Sequence, residues 1–143
     1  MKVFQVQDQW SMDHVRLASR PEPVAGRGQV RLRMRAAALN YRDLLVPQRG
    51  YGQRMQELPL VMLSDGVGVV DQVGEGVSLV RLGDRLCPLL WQTWTGGPPD
   101  AWKLGHGLGC ETDGTMAEWM VLPETGTAPA PASLSDVLRA TCR

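Results

Sequence analysis

The sequence has few cysteines, no long apolar run and no excess of charge of either sign. Its three cysteines, Cys87, Cys110 and Cys142, form no C-x-x-C pair, which favours reduced thiols in a cytoplasmic protein over a disulfide framework. Lys+Arg and Asp+Glu are both 15, so composition gives no reason to expect nucleic acid or an anionic membrane as a partner. No apolar run approaches the roughly 20 residues that span a bilayer, and no signal peptide is visible.

A dinucleotide-binding fingerprint is also missing. The pattern G-x-G-x-x-G would start at Gly74 and Gly76, but Leu79 stands where the third glycine belongs. A second start, at Gly107, meets Thr112 at that position, and no G-x-x-x-x-G-K-[ST] occurs. The glycines are therefore predicted to serve turns and bulges rather than a phosphate group.

The sequence does contain many short apolar segments, separated by 16 glycines and 10 prolines, which favours strands over helices. In QVRLRMRAAAL the apolar residues alternate with three arginines, so one face is buried and the arginine face is solvated. Further strands are predicted at KVFQVQ, GVGVVDQVG, VSLV, RLCPLL and TMAEWMVLP, and a short helical turn at NYRDLLV. Gly66 and Gly68 share one strand face, where they would permit a bulge or close backbone approach.

From Thr125 onward the composition changes. TGTAPAPA is typical of a connector, and SLSDVLRA begins like a helix, with Ser133 as cap and Asp136 in the capping-box position. A helix this short is marginal in water by itself. The predicted division is therefore residues 1–128 as one domain and 129–143 as a linker and the start of a helix leading to another domain.

Three segments in order carry a family resemblance: GQVRLRMRAAALNYRDLLVPQRG, LPLVMLSDGVGVVDQVGEGVSLVRLGDRL and DGTMAEWMVLPE. Together they resemble the N-terminal, GroES-like domain of the medium-chain dehydrogenase/reductase superfamily. The resemblance implies a mainly β fold, a distorted and partly open β-barrel with a few short helices.

The resemblance also implies where zinc would bind in zinc-containing members. Their first catalytic cysteine falls at Asn40, and their His-Glu pair falls at Ser64 and Asp65. Asn and Ser are poor replacements for thiolate and imidazole ligands. The lobe that holds structural zinc in the family retains a single Cys110. Both zinc sites are expected to be absent, as in the quinone-oxidoreductase-like branch.

Roles for individual residues follow from the same resemblance. Asn40 would hydrogen-bond a substrate oxygen, and Tyr41 would contact the nicotinamide or its ribose. Arg42 would reach a cofactor phosphate or lie at the surface, and Asp43 would fix the loop. Ser64 and Asp65 would line the same cleft. Each position has an alternative as an ordinary cap, turn or solvent contact.

Two of these residues, Asp65 and Arg42, are considered as a possible ion pair. His106, Cys110, Glu111 and Cys87 form another open possibility, a stray metal set, which the spacing supports weakly. The Trp-rich segment WQTWTGGPPDAW has three alternatives: a substrate wall or lid, packing over a barrel end, or a contact with another domain.

The implied function is that of the substrate-side domain of an NAD- or NADP-dependent oxidoreductase, inactive without its Rossmann domain. Hydride would pass to or from a carbonyl, an activated alkene or a quinone. The expected partners are a small-molecule substrate and the Rossmann domain, with a second copy in a homodimer as a further option. The alternatives are a non-catalytic GroES-like binding or assembly module, a zinc dehydrogenase with unusual ligands, and a degenerate gene remnant.

Overall fold

The computed structural model describes residues 1–51 and 55–141, so Cys142 and the last residue of the predicted C-terminal segment lie outside the described part. Most regular structure is β. The strands are β1 (Lys2–Val6), β2 (Val15–Ser19), β3 (Gln29–Ala38), β4 (Leu60–Val61), β5 (Asp65–Val73), β6 (Arg85–Pro88), β7 (Trp119–Pro123) and β8 (Thr127–Pro129). The helices are α1 (Arg42–Leu45) and α2 (Asp136–Ala140), with 3-10 turns at Met12–His14, Val46–Gln48, Lys103–Gly105 and Glu124–Gly126.

The strands form two antiparallel sheets. One has the order β2-β1-β4, and the other has the order β7-β3-β5-β6-β8 and curls into a half-barrel. The main core lies inside this curl and is formed by Val30, Leu32, Val70, Leu86, Leu108, Met120 and Leu122. The mainly β, partly open barrel expected from the sequence is confirmed.

Strand β3 shows the predicted alternation of buried and solvated side chains. Val30 and Leu32 are fully buried, whereas Arg33 and Arg35 are exposed. Arg31 on the same outer face donates to Asp71 of β5 at 2.8 Å, and this contact raises the pKa of Arg31 above its ordinary value. The period of two therefore sets which face of the sheet meets the core.

Gly66 and Gly68 allow β5 to lie very close to β3. A Cβ atom at Gly66 would stand 2.8 Å from Met34 Cε and 3.0 Å from the Ala36 carbonyl oxygen. One at Gly68 would stand 2.9 Å from Leu32 Cβ. The register between the two strands shifts between Met34 and Ala36, so the glycines lie at the predicted irregularity.

Two local predictions differ from the structure. Residues 77–80, VSLV, form no strand, because the Glu124 carboxylate accepts hydrogen bonds from the backbone N–H groups of Ser78 and Leu79 at 2.9 and 2.7 Å. The predicted connector contains β8, which pairs with β6 in the register Leu86↔Pro129 and Cys87↔Ala128. The predicted boundary after residue 128 therefore lies within a strand.

Helix α2 begins two residues later than expected. Ser135, and not Ser133, is the cap, and its Oγ accepts from the backbone N–H of Leu138 at 3.4 Å. The predicted capping-box partner Asp136 instead faces arginines of the barrel, Arg35 of β3 at 3.7 Å and Arg85 of β6 at 3.3 Å. Tertiary contacts thus hold a helix that would be marginal in isolation.

Candidate functional site

The site begins at the loop between β3 and α1. Asp43 Oδ2 accepts from the backbone N–H of Asn40 at 2.7 Å, and the Asp43 backbone N–H donates to the Asn40 carbonyl at 3.0 Å. This reciprocal pair resembles a helix cap, because it satisfies donors at the start of a short helix. Asp43 is buried, and these two hydrogen bonds tie it to the loop at Asn40.

Asn40 and Asp65 meet across the sheet although 25 residues separate them in sequence. Strand β3 ends and β5 begins side by side, with Ala38 opposite Asp65 in the register. The Asn40 carboxamide nitrogen donates to Asp65 Oδ2 at 2.5 Å. The carboxylate is therefore engaged by the amide, and the predicted Asp65–Arg42 ion pair is not formed among the described residues.

Two buried hydroxyl side chains, Ser64 and Thr115, are next to Asp65 in the chain or in hydrogen bonding. Ser64 is fully buried, and its hydroxyl has no hydrogen-bond partner within the described residues. Thr115 Oγ1 donates to the backbone carbonyl of Asp65 at 2.9 Å and so supports the turn that carries Ser64 and Asp65. Sequence reasoning missed Thr115, and its only signal was the D-G-T turn before the last predicted strand.

The two residues after Asn40 have opposite environments. The Tyr41 side chain is 76% exposed, so it can contact another molecule or domain. Arg42 is only 8% exposed, and its guanidinium lies 4.7 Å from the ring centre of Tyr51 in a cation–π contact. The surface location considered for Arg42 is therefore wrong, because the ring covers the cation.

Cys110 lies close to Arg42 and Glu111. Burial, together with the nearby Glu111 carboxylate, raises the pKa of the Cys110 thiol to about 11, and the Arg42 guanidinium partly opposes this increase. The thiol is fully buried and remains protonated at neutral pH. Cys110 is thus a packing residue beside two charges, without the electropositive exposure of a reactive cysteine.

A cleft of about 370 Å³ opens next to Asp65. Its other walls are mainly apolar and come from β6, the following residues and β8: Cys87, Pro88, Leu89, Leu90, Ala128, Pro129 and Pro131. An apolar cleft with one fixed polar group matches the usual anatomy of a small-molecule site. Asp65, which accepts the hydrogen bond from Asn40, therefore contributes a carboxylate to the wall of a space that could hold a substrate.

The described side chains do not fit a zinc ion. Among residues 1–51 and 55–141 there is no group of three or more His, Cys, Asp or Glu side chains placed to hold a metal. At the position of the catalytic zinc, the Asn40 amide nitrogen is directed at Asp65, and an amide nitrogen is not a zinc ligand. His106 of the stray metal set is engaged by Thr93 and the Trp102 carbonyl at 3.2 and 3.1 Å.

The three tryptophans of the 91–102 segment have separate contacts and do not pack into one cluster among the described residues. Trp91 packs against Gly107, where an added Cβ would stand 2.7 Å from the indole. Trp94 donates to the Gly97 carbonyl at 3.1 Å, and Trp102 is exposed apart from an edge contact with His106. The contact with Gly107 agrees with packing as the role of Trp91. The exposed Trp102 is free to serve as a substrate wall or as a contact with another domain.

The helices of the described part are all too short to cross a lipid bilayer.

Known proteins resemble this chain in sequence and in fold. The model of the alcohol dehydrogenase GroES-like domain family matches residues 26–132. A zinc-type alcohol dehydrogenase-like protein of Schizosaccharomyces pombe is 35% identical over 108 residues, which are 76% of this chain and 31% of that protein. The acryloyl-coenzyme A reductase of Sulfurisphaera tokodaii is 33% identical over 124 residues, 81% of this chain and 36% of that protein.

The fold comparison agrees. A crystal structure of an NAD-dependent alcohol dehydrogenase superposes with a TM-score of 0.80 at 33% identity, over 95% of this chain and 41% of that one. The chain thus spans about a third of the length of these curated relatives. It belongs to the alcohol dehydrogenase GroES-like domain family, the N-terminal domain of the medium-chain dehydrogenase/reductase superfamily.

Proposed function

We propose that this chain is the substrate-side domain of an NAD(P)-dependent oxidoreductase that acts on a carbonyl, an activated alkene or a quinone. The observation that carries the proposal is the hydrogen bond from Asn40 to Asp65, a residue that lines the apolar cleft. It holds a neutral hydrogen-bonding group at a fixed place beside a space for substrate. Family membership supports the reaction class, since fold alone does not determine function.

Asn40 is proposed as the group that orients the substrate. A carboxamide offers both N–H donors and an oxygen acceptor, and Asp65 fixes its rotation. Asp43 and Thr115 hold the two backbone segments that carry this pair. Ser64 precedes Asp65 in the chain and is buried. The chain's own residues thus bind and orient the substrate rather than exchange protons with it.

The nicotinamide cofactor is proposed to be held mainly by a Rossmann domain, on the same polypeptide or on another one. A bound nicotinamide supplies or accepts the hydride. In this chain the exposed Tyr41 is the residue placed to contact such a cofactor. The buried Arg42 is less suited to a phosphate at the surface. We expect the chain by itself to bind the cofactor weakly and to be inactive.

The site is also proposed to work without zinc. Asn40 and Ser64 replace the soft ligands that a catalytic zinc requires, and only Asp65 keeps a suitable group. Substrate polarisation then rests on hydrogen bonds from the protein. Metal analysis of the purified chain tests this directly: zinc bound in stoichiometric amount would contradict it.

A chimaera provides the decisive test. This chain would replace the matching domain of the NAD-dependent alcohol dehydrogenase that it superposes on, and NADH and NADPH oxidation would be followed with ketones, enones and quinones. We expect turnover in the chimaera, none in the isolated chain, and a loss of roughly tenfold or more in Asn40→Ala. An inactive, folded chimaera would contradict the proposal, and a ring-sized species in size-exclusion chromatography would favour the assembly module.

A further inference from the structure

A second cavity, of about 400 Å³, is lined by strand β7 and by residues of the segments 92–93 and 106–114. Among the described residues it shares no lining residue with the cleft at Asp65. Much of its wall is apolar and is formed by Val61, Leu108, Ala117, Met120, Val121 and Leu122. Its volume and its apolar wall are those of a small-molecule site, for which the polar side chains of the wall set the chemistry of the ligand.

Most side-chain donors of this wall are already used within the chain. The Thr93 and Thr112 hydroxyls donate to backbone carbonyls at 3.1 and 3.3 Å. The indole nitrogen of Trp119 donates to the Asp71 carboxylate at 2.8 Å. These groups therefore have no hydrogen left to donate to a ligand.

His106 supplies an acceptor whose direction is fixed by the chain. Its Nδ1 lies 3.1 Å from the Trp102 carbonyl oxygen and 3.2 Å from Thr93 Oγ1. Because a carbonyl oxygen can only accept, the proton of the neutral imidazole is on Nδ1. Nε2 then carries a lone pair, and it has no hydrogen-bond partner among the described residues, while the His106 side chain lines the cavity.

Gln92 supplies a second acceptor in the same wall. It is only 7% exposed, and its carboxamide nitrogen donates to the backbone carbonyls of Leu89 and Gly126. Its buried Oε1 has no hydrogen-bond partner in the part of the chain that the structure describes. A buried acceptor without a donor is unfavourable, so two acceptors without donors indicate that the missing hydrogen bonds come from a ligand.

We propose that this cavity is a second ligand site, which binds a neutral, mainly apolar molecule that donates an O–H or N–H group to His106 Nε2. The apolar wall buries the body of such a molecule, and the unused acceptors select for a donor. Asp113 also lines the cavity, but it is already paired with Arg20 at 2.6 Å, so an ionic ligand would find no free counter-charge there. Phenols and alcohols have the required chemistry. The site is separate from the proposed oxidoreductase cleft and does not depend on it.

The test uses the 143-residue chain and two probes of similar shape, phenol and anisole, of which only phenol donates a hydrogen bond. The chain has two histidines, so proton–nitrogen NMR of the imidazole rings resolves His106 from His14. We expect the Nδ1–H tautomer of His106 in the free chain and a saturable shift of its Nε2 signal with phenol. Anisole should bind roughly tenfold more weakly, as for the loss of one hydrogen bond.

Three variants separate the acceptor from the rest of the ring. His106→Asn keeps a donor near the position of Nδ1 and removes Nε2, so it should bind phenol roughly tenfold more weakly. His106→Gln places a carboxamide oxygen near the position of Nε2 and should retain more of the affinity. His14→Asn changes the histidine that lies outside the cavity and should leave phenol binding unchanged.

Three results would overturn the inference. These are an Nε2–H tautomer of His106 in the free chain, equal binding of phenol and anisole, and unchanged phenol affinity in His106→Asn. If His106→Asn fails to fold, the tautomer and the comparison of the two probes still decide, because both are measured on the wild-type chain.

Discussion

Arg42 and Arg139 are both almost fully buried, at 8% and 3% exposure, but the chain treats them in opposite ways. Arg139 donates to the carbonyls of Pro131 and Ala132 at 2.7 Å each and to Asp136 at 3.3 Å. Arg42 has an aromatic ring over it and no hydrogen bond within the described residues. Folding satisfies the donors of Arg139, whereas the guanidinium of Arg42 is stabilised mainly by the ring of Tyr51.

The largest expected effect is the contrast between two identical substitutions. Arg139→Met should lower the free energy of unfolding by about 3–5 kcal/mol, because it leaves carbonyls and the Asp136 carboxylate without their buried partner. Arg42→Met should change it little or raise it by about 1 kcal/mol, since an unpaired buried charge is removed. Urea denaturation of both variants measures this. Equal losses would mean that Arg42 is a structural residue like Arg139.

The second effect is a pH dependence at Cys110, beside Arg42. Its folded-state pKa of about 11 lies above that of an unfolded thiol, so the unfolded chain releases this proton first as pH rises. The protonated thiol stabilises the folded chain fully below about pH 8.5. As pH rises toward 11, the free energy of unfolding falls by an amount on the order of 2 kcal/mol. Denaturation of the wild type and Cys110→Ala at several alkaline pH values isolates it. Parallel pH profiles would contradict the prediction.

The third effect concerns the anchor of α2. Asp136→Asn should cost about 1 kcal/mol, since the pairs with Arg35 and Arg85 are half-exposed and only the bond to Arg139 is buried. The loss should shrink at high salt, which screens the exposed pairs. Thermal unfolding at low and high salt measures both. A loss as large as that of Arg139→Met would show that the arginine acts only through Asp136.

The smallest expected effect concerns the Tyr51 ring that lies over Arg42. Tyr51→Leu should cost about 0.5–1 kcal/mol in the wild type through loss of the cation–π contact, and clearly less when Arg42 is already methionine. A double-mutant cycle of unfolding free energies gives the coupling. Zero coupling would mean that the ring only shields the cation from water. The change in unfolding free energy caused by Arg42→Met would then be set only by the burial of the unpaired charge.

Much of the fold could be predicted because it depends on local pattern. Alternation in β3 and the paired glycines of β5 correctly placed two central strands and their close approach. Segment 77–80 and β8 were missed, since a distant carboxylate holds one and pairing with β6 creates the other. Such contacts leave no periodic signal in the sequence.

The sequence by itself determined the fold class and the family. These depend on the alternation of side chains, the turn glycines and the order of the motifs. All three are local features that can be read from the sequence. Only the tertiary structure decided that Asn40 bonds to Asp65 and that Arg42 is buried under Tyr51 while Arg139 is fully bonded. Burial and partnership of a charge depend on residues far away in the chain, so composition and spacing cannot specify them.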